Sequence, residues 1–238
     1  MGYGTLGIIG GMGPLATAYL FNQIIGLTEA KCDQDHIHVL IDNNTEIPDR
    51  TDYLLHGGQN PLGKLVESAK LLEASGADFL IMPCNTAHYF YNDIKKEINI
   101  PFINMIDETA RYILEYHPDI KRVGLLATEG TCRTGVYDHV FRNYGIEIVK
   151  PSAEEQSYVS EMIYSVKSGT YGKEIPPGYQ EVLGSLLKLT GVTVLGCTEL
   201  PVAHSIYGLN GSYVNTLQVL AENAVRLAGK KVRVKGIC

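Results

Sequence analysis

Two segments of this chain repeat one short pattern, and this pattern constrains the fold more than any other feature. Residues 79–82 form an apolar run that leads through a proline to Cys84, and residues 192–195 form a second run that leads through a glycine to Cys197. Hydroxyl or amide side chains follow each cysteine. Such short runs of β-forming residues predict buried strands. Because α/β sheets place their sites at the carboxyl ends of strands, we expect both thiols at functional strand ends.

Strand-like and helix-like segments alternate along the rest of the chain, which predicts an α/β fold with mainly parallel sheets flanked by helices. Apart from the repeated pattern, the local sequence predicts the secondary structure of four further stretches. The polar composition of residues 46–59 predicts a long loop, and residues 102–105 are expected to form a strand. Residues 86–97 and 131–144 are each expected to form one uninterrupted helix.

A boundary near Pro101 divides the chain into two similar lobes. The N-terminal lobe is expected to comprise residues 1–101 and the C-terminal lobe residues 102–212, so that each lobe contributes one cysteine loop. A last helix within residues 213–238 is expected to pack back on the first lobe. A site built from both cysteine loops would then lie in the cleft between the lobes.

Composition narrows the class of partner. The chain has 238 residues with 45% hydrophobic and 19% charged side chains, which is typical of a globular protein. Its net charge of −6 argues against nucleic acid as a partner, because nucleic-acid binding requires a basic surface. No stretch has the length and apolarity of a membrane span, and the first residues lack the charged start of a signal peptide. We therefore expect a cytoplasmic protein that binds neither nucleic acid nor membrane.

The five cysteines are odd in number and have no CxxC spacing, which argues against a disulfide framework and against a metal site. Cys84 and Cys197 are expected in strand-to-helix turns, where a helix N-terminus lowers the pKa of a thiol and makes it reactive. The other three, Cys32, Cys132 and Cys238, are expected to be structural, since cysteine often behaves as a small apolar residue. His88, one helical turn after Cys84, is a candidate to support a thiolate or a simple polar contact.

A glycine-rich turn follows the first predicted strand. Residues 11–16 fit the dinucleotide fingerprint GxGxxG/A, but no acidic residue stands at the distance at which that fingerprint requires one. The turn is more simply the tight start of a helix at Pro14, or a place where the N–H groups around Met12 and Gly13 bind a small carboxylate. The alternative, a nicotinamide-dependent oxidoreductase, leaves the paired cysteines unexplained, and a nucleotide titration would test it.

Residues 82–88 and 196–201 together resemble the two cysteine motifs of the aspartate/glutamate racemase family, and residues 10–14, 47–51 and 126–131 add further matches. The resemblance covers essentially the whole chain. It implies two α/β lobes related by a pseudo-twofold axis, an active site between them, no cofactor and a homodimer. Glutamate racemases usually have a histidine where this chain has Glu199, so the resemblance is to the aspartate racemase branch.

The resemblance also implies a mechanism and a set of site residues. One cysteine removes the Cα proton of aspartate and the other returns a proton on the opposite face, with Glu199 and His88 in supporting roles. Arg50 and Lys167 would hold the carboxylates of the substrate, since cations are needed locally in a chain of net charge −6. The remaining substrate-binding candidates are Met12, Gly13, Asn43, Asn85, Thr86, Thr131 and Thr198.

Other functions remain open at this point. The same fold is implied for racemases of glutamate or of another amino acid, and for hydantoin racemases and maleate isomerases. A protein that only senses an amino acid is a further alternative, although binding alone does not require two thiols.

Overall fold

Seven strands form two parallel sheets within the residues that the structure describes, which are 4–176, 178–209 and 212–233 of this computed structural model. The first sheet has the order β2-β1-β3 and consists of β1 (Thr5–Gly10), β2 (His38–Asn43) and β3 (Phe79–Ile81). The second has the order β5-β4-β6-β7 and consists of β4 (Arg122–Leu126), β5 (Glu147–Val149), β6 (Thr193–Leu195) and β7 (Tyr213–Asn215).

Helices connect and cover the strands. In chain order they begin with α1 (Pro14–Leu27), α2 (Arg50–His56), α3 (Leu62–Ala74), α4 (Tyr91–Lys95) and α5 (Met105–Tyr116), with short 3₁₀ helices at Asp33–Asp35 and Thr86–Phe90. They are followed by α6 (Glu129–Thr134), α7 (Val136–Arg142), α8 (Ala153–Ser168), α9 (Tyr179–Thr190), α10 (Glu199–Tyr207) and α11 (Thr216–Leu227).

The two sheets repeat one arrangement around the cysteine strands. In the first sheet β3 pairs with β1, with Ile81 beside Ile8, and in the second β6 pairs with β4, with Leu195 beside Leu126. Both cysteine strands are fully buried, because helices cover both faces of a parallel sheet. The prediction of two α/β lobes with parallel sheets is confirmed, and the parallel strands of each sheet end at one edge.

The last helix joins the core of the first lobe. Leu217, Leu220 and Val225 of α11 pack in one buried cluster with Leu6 of β1 and Leu20 of α1. The apolar stripe of α11 therefore covers the first sheet although β7, which precedes it, belongs to the second. Cys238 and the rest of residues 234–238 lie outside the described residues.

The predicted loop over 46–59 is wrong, because it contains α2. Asp49 caps this helix by accepting a hydrogen bond from the Asp52 backbone N–H at 2.9 Å. Gly57 ends the helix with a positive φ of 73°, a conformation that glycine adopts without strain. The polar composition masked these capping signals, and the helix places Arg50 in its first, buried turn.

The predicted strand over 102–105 is also wrong. Phe102 makes one isolated bridge to Leu80, and α5 already begins at Met105 because Asn104 accepts hydrogen bonds from the next helical N–H groups. The two predicted long helices are each divided. The Thr86–Phe90 segment is 3₁₀ before α4 begins, and Gly135, with φ of 65°, separates α6 from α7. No described helix is long and apolar enough to cross a membrane.

Candidate active site between the two cysteine loops

Cys84 and Cys197 line one narrow cleft between the lobes. Each follows the carboxyl end of its strand, and each is only 5% exposed. The cleft encloses about 10 Å³, which is room for about one water-sized sphere. The other residues that line it are mostly polar and come from both lobes: Met12, Asp49, Arg50, Thr51, Asn85, Thr86, Thr128, Lys167, Thr198 and Glu199.

A wider pocket of about 270 Å³ adjoins this cleft. It includes the turn before α1, with Gly11 and Gly13, and residues of α8 and α10. Five residues line both spaces: Met12, Asp49, Arg50, Lys167 and Glu199. The wider pocket is therefore the route to the thiols, and the cleft has to widen before a molecule larger than water lies between them.

The glycine turn is shaped by close backbone packing. Gly11 has a φ of 87°, and a Cβ atom at this position would overlap the backbone of Asn44. The turn then leads into α1, which Gly13 precedes without a side chain to cap it. Leu15 and Ala16 of the first turn of α1 line the wider pocket.

Arg50 brings a buried positive charge to Cys84. The residue is 7% exposed, and burial alone would lower the pKa of its guanidinium. The negative charges of Cys84 and Asp49, with a hydrogen bond to Cys84, have a larger effect in the opposite direction, so the pKa of Arg50 is raised. The guanidinium also donates to the backbone carbonyls of Met12, Ile47 and Pro48. Arg50 is therefore a permanent, buried cation beside Cys84.

Glu199 brings the opposite charge to Cys197. The Cys197 thiol donates to Glu199 Oε2 over 2.9 Å, and the Thr198 hydroxyl donates to the same oxygen over 3.3 Å. Burial, followed by the negative charge of Glu199, raises the pKa of Cys197 well above its usual value, although Lys167 opposes this. Cys197 is therefore a thiol at neutral pH. The two cysteines differ in the charge beside them, which the matching sequence motifs did not indicate.

Glu199→Gln is expected to increase the reactivity of Cys197 towards iodoacetamide at neutral pH. The substitution removes a negative charge that raises the thiol pKa, so the thiolate fraction at a given pH increases. Mass spectrometry of each cysteine across a pH series would measure the midpoint of alkylation, which should move to lower pH at Cys197 and stay in place at Cys132. An unchanged midpoint at Cys197 would contradict the role given to Glu199.

Asn85 presents a side-chain amide with one free end. The residue is 2% exposed and lines the cleft next to Cys84, and its Oδ1 accepts a 2.6 Å hydrogen bond from the hydroxyl of Tyr137 on α7. The Nδ2 group is buried and has no hydrogen-bond partner within the described part of the chain. The sequence analysis predicted Asn85 as a site residue but did not single out Tyr137.

Three threonine hydroxyls form a closed triangle across the lobes. Thr86 Oγ1 lies 3.0 Å from Thr128 Oγ1 and 2.9 Å from Thr131 Oγ1, and the last two are 3.0 Å apart. Thr86 and Thr128 line the cleft, whereas Thr131 is fully buried behind them. Thr128, which also caps α6, is a lining residue that the sequence analysis missed. Its signal was a hydroxyl residue before a helix start.

His88 supports the backbone of the Cys84 loop. Its Nδ1 lies 2.8 Å from the Cys84 carbonyl oxygen, and its Nε2 accepts a hydrogen bond from the Met105 backbone N–H over 3.1 Å. This arrangement requires a proton on Nδ1 and none on Nε2. Burial lowers the pKa of His88 to about 4, so the ring is neutral near pH 7 and provides no cation for a thiolate. Of the two roles considered for His88, the contacts favour the structural one.

The free energy of unfolding is expected to fall as the pH is lowered from 6.5 to about 4. An unfolded histidine binds its proton near 6.5, whereas folded His88 binds one only near 4, so in this range the unfolded state binds more protons. One such group contributes a slope of up to about 1.4 kcal/mol per pH unit. Urea unfolding of the protein and of His88→Gln across this range should show a smaller slope for the variant. Equal slopes would contradict the neutral, buried state of His88.

Lys167 and Asn43 occupy different places relative to the cleft. Lys167, near the end of α8, lines both the cleft and the wider pocket. Much of this residue is exposed, but its ammonium group is desolvated, and the negative charges of Glu199 and Cys197 outweigh this burial and raise its pKa. Asn43 ends β2, is exposed and lines neither space, whereas Thr45 lines the wider pocket. Lys167 therefore lies at the candidate site, and Asn43 lies outside it.

A separate cavity of about 370 Å³ lies against the C-terminal part of α10. It is lined by tyrosines and amides such as Tyr19, Tyr213 and Gln23, and it contains neither thiol, so we assign the candidate active site to the cleft. Among the described residues, no group of three or more His, Cys, Asp or Glu side chains is arranged to hold a metal ion.

Comparison with known proteins finds racemases both by sequence and by structure. Two of them are similar along most of their length. A broad-specificity amino-acid racemase of Bacillus subtilis (strain 168) is 27% identical over 199 residues, which is 82% of this chain and 85% of that protein. The structure of the Picrophilus torridus aspartate racemase superposes with a TM-score of 0.83 at 32% identity, covering 97% of this chain and 96% of that one.

A third comparison supports the fold alone. The structure of an aspartate racemase homologue from Pyrococcus horikoshii OT3 has a TM-score of 0.74 at 23% identity and covers 94% of this chain and 99% of that one.

The sequence model of Asp/Glu/Hydantoin racemases matches residues 9–223, which includes both cysteine loops and the whole cleft. The chain therefore belongs to the Asp/Glu/hydantoin racemase family.

Proposed function

We propose that this protein is a cofactor-independent amino-acid racemase that interconverts L- and D-aspartate by proton transfer at Cα. The observation that carries the proposal is the pair of buried thiols in one cleft, with Arg50 beside Cys84 and the carboxylate of Glu199 beside Cys197. Racemisation needs a base on one face of Cα and an acid on the other. The different charges beside the two thiols favour one thiolate and one thiol in the same resting enzyme.

In this proposal, thiolate Cys84 removes the Cα proton from one enantiomer, and thiol Cys197 donates a proton to the opposite face. The product then leaves with the roles exchanged, Cys84 protonated and Cys197 a thiolate, which is the state that reacts with the other enantiomer. Return to the resting state requires that Cys84 lose a proton and Cys197 gain one, by direct transfer or by exchange of both with solvent. Lys167, whose charge favours a negative Cys197, would stabilise the second state.

The Cα proton of an amino acid is a weak acid, so the cleft has to stabilise the negative charge that develops on the α-carboxylate. The free Nδ2 group of Asn85 is a donor in a nearly water-free space, and the hydroxyl of Thr198 would become a second donor if it turned away from Glu199. Donors that are held in place before the reaction stabilise such charge strongly, because they need no reorganisation. Arg50 adds a positive charge at the same end of the cleft.

Aspartate is the substrate that the charges favour. Arg50 and Lys167 line both the thiol cleft and the wider pocket, so one dicarboxylic amino acid would meet both cations. Arg50 offers a planar fork for a carboxylate and Lys167 a point charge. The similarity to an aspartate racemase structure supports this choice.

A racemase of broader specificity is the second candidate. The observation that favours it is the similarity to a racemase described as having broad specificity, which extends along most of both chains. Glutamate, which is one methylene longer than aspartate, would also meet both cations. The two candidates differ in the ratio of rates between dicarboxylic and neutral amino acids.

Exchange of the Cα proton with deuterium from the solvent tests both candidates. Purified protein without added cofactor would be incubated in D₂O with each enantiomer of aspartate, glutamate, alanine and homoserine, and the Cα signal followed by proton NMR. Fast exchange confined to aspartate would support the first candidate, and exchange of neutral amino acids at similar rates the second. Binding without exchange would indicate a sensor, and no exchange or binding of any amino acid would contradict the proposal.

The homodimer implied by the family resemblance belongs to the same proposal. Light scattering coupled to size-exclusion chromatography measures the mass directly, against 26.1 kDa for one chain. A mass that stays at one chain over the concentration range of the activity assay would remove the dimer from the proposal without affecting the racemase assignment.

A further inference from the structure

Tyr137 is a fully buried tyrosine whose hydroxyl reaches the other lobe. It lies on α7, and its ring packs in the core of the second lobe, with its centroid 5.5 Å from that of Phe141. Its hydroxyl nevertheless bonds to Asn85, which is 52 residues away in sequence and follows the catalytic Cys84 of the first lobe. The proposed catalytic mechanism makes no use of Tyr137 itself.

We infer that Tyr137 is a positioning residue that orients the Asn85 amide, so that its NH₂ group, and not its oxygen, meets the α-carboxylate of the substrate. This inference rests on the proposed racemase function and adds to it a residue from the core of the second lobe. An asparagine side chain has a donor end and an acceptor end of nearly the same shape, so packing alone does not select between its two orientations.

The chemistry of the bond selects one orientation. The 2.6 Å distance between the Tyr137 oxygen and Asn85 Oδ1 fits an O–H donor to an amide oxygen. Burial raises the pKa of Tyr137 well above its usual value, so the hydroxyl retains its proton. With Oδ1 occupied, Nδ2 is the group that remains, and it is buried without a partner. A buried donor left unpaired costs free energy, which a substrate carboxylate would recover.

The bond also depends on how close the lobes are. Around it, Thr86 meets Thr128 and Thr131 across the same boundary, and a Cβ atom on Gly130 would lie 2.9 Å from the Thr51 hydroxyl. The thiol cleft of about 10 Å³ has to widen to admit an amino acid. Separation of the lobes would stretch the Tyr137–Asn85 bond, so the amide gains its orientation when the lobes close. Closure and completion of the site would then be one event.

Tyr137→Phe tests the inference, because it removes the hydroxyl and retains the ring in the core. We expect kcat for aspartate to fall by about 10- to 100-fold, less than the 10²- to 10³-fold typical of deleting an oxyanion donor, with KM changed by less than about threefold. Tyr179→Phe is the matched control, since Tyr179 is also fully buried in the second lobe, its hydroxyl bonds to His204, and neither residue lines the cleft. It should retain near wild-type kcat.

A double variant separates positioning from a general structural effect. If Tyr137 acts through Asn85, then adding Tyr137→Phe to Asn85→Ala should lower kcat by less than about twofold, because the amide is already absent. The assay would be run well below the melting temperature of each variant, so that loss of stability does not enter kcat. Full additivity of the two losses, or a Tyr137→Phe variant as active as Tyr179→Phe, would overturn the inference. An inactive wild-type protein would instead contradict the proposed function.

Discussion

Cys84→Ser and Cys197→Ser are each expected to lower racemisation of aspartate by at least about 10³-fold, because each removes one of two acid–base groups. A serine hydroxyl is a far weaker acid than a thiol, and it does not become the anion needed beside Cα. The cleft is nearly closed to solvent, so water is a poor substitute for either group. Circular dichroism at a wavelength sensitive to the enantiomers would follow the reaction from both the L and D sides.

Cys132→Ser is the matched control. Cys132 also lies in the second lobe, but its thiol donates to Gln156, and burial raises its pKa to about 11. This variant should retain near wild-type activity. Each catalytic variant is also expected to exchange the Cα proton of one enantiomer faster than that of the other, since one thiol remains. Near wild-type racemisation by either Cys84→Ser or Cys197→Ser would contradict the two-thiol mechanism.

Arg50→Ala is expected to lower kcat/KM for aspartate by about 10- to 150-fold, which corresponds to about 1.5–3 kcal/mol of charge-assisted hydrogen bonding. Arg50 is buried, so solvent does not screen its charge, and its loss also removes the positive charge beside Cys84. The loss should therefore extend to alanine, which lacks a second carboxylate, but be several-fold smaller there. Lys167→Ala should cause a smaller loss for aspartate, because more of that residue is exposed.

Arg50→Lys separates charge from geometry. Lysine keeps the positive charge but not the planar fork, so we expect the reaction of alanine to recover more fully than that of aspartate. Arg111, which pairs with Asp107 on the exposed surface of α5, provides a control, and Arg111→Ala should leave both substrates near wild type. Equal losses for aspartate and alanine in Arg50→Ala would show that Arg50 stabilises the thiolate and does not select the substrate.

The local sequence was sufficient for the cysteine strands and for the end of each strand. The apolar runs before Cys84 and Cys197 are buried strands, as predicted. A short run of β-forming residues between turn residues forms a strand more readily than a helix. Local signals were misread where capping mattered more than composition. Asp49 starts a helix within the predicted loop, and Asn104 starts a helix within the predicted strand over 102–105.

The sequence by itself determined that two thiols lie at equivalent strand ends of two parallel sheets, because strand formation, strand ends and parallel connections follow from short-range patterns. The tertiary structure alone decided what surrounds each thiol. It set Arg50 beside Cys84 and the Tyr137 hydroxyl on Asn85. These contacts depend on how the folded elements dock against one another. The charge that lies beside a buried group decides whether that group is protonated, and this charge follows from the packing and not from the spacing of residues along the chain.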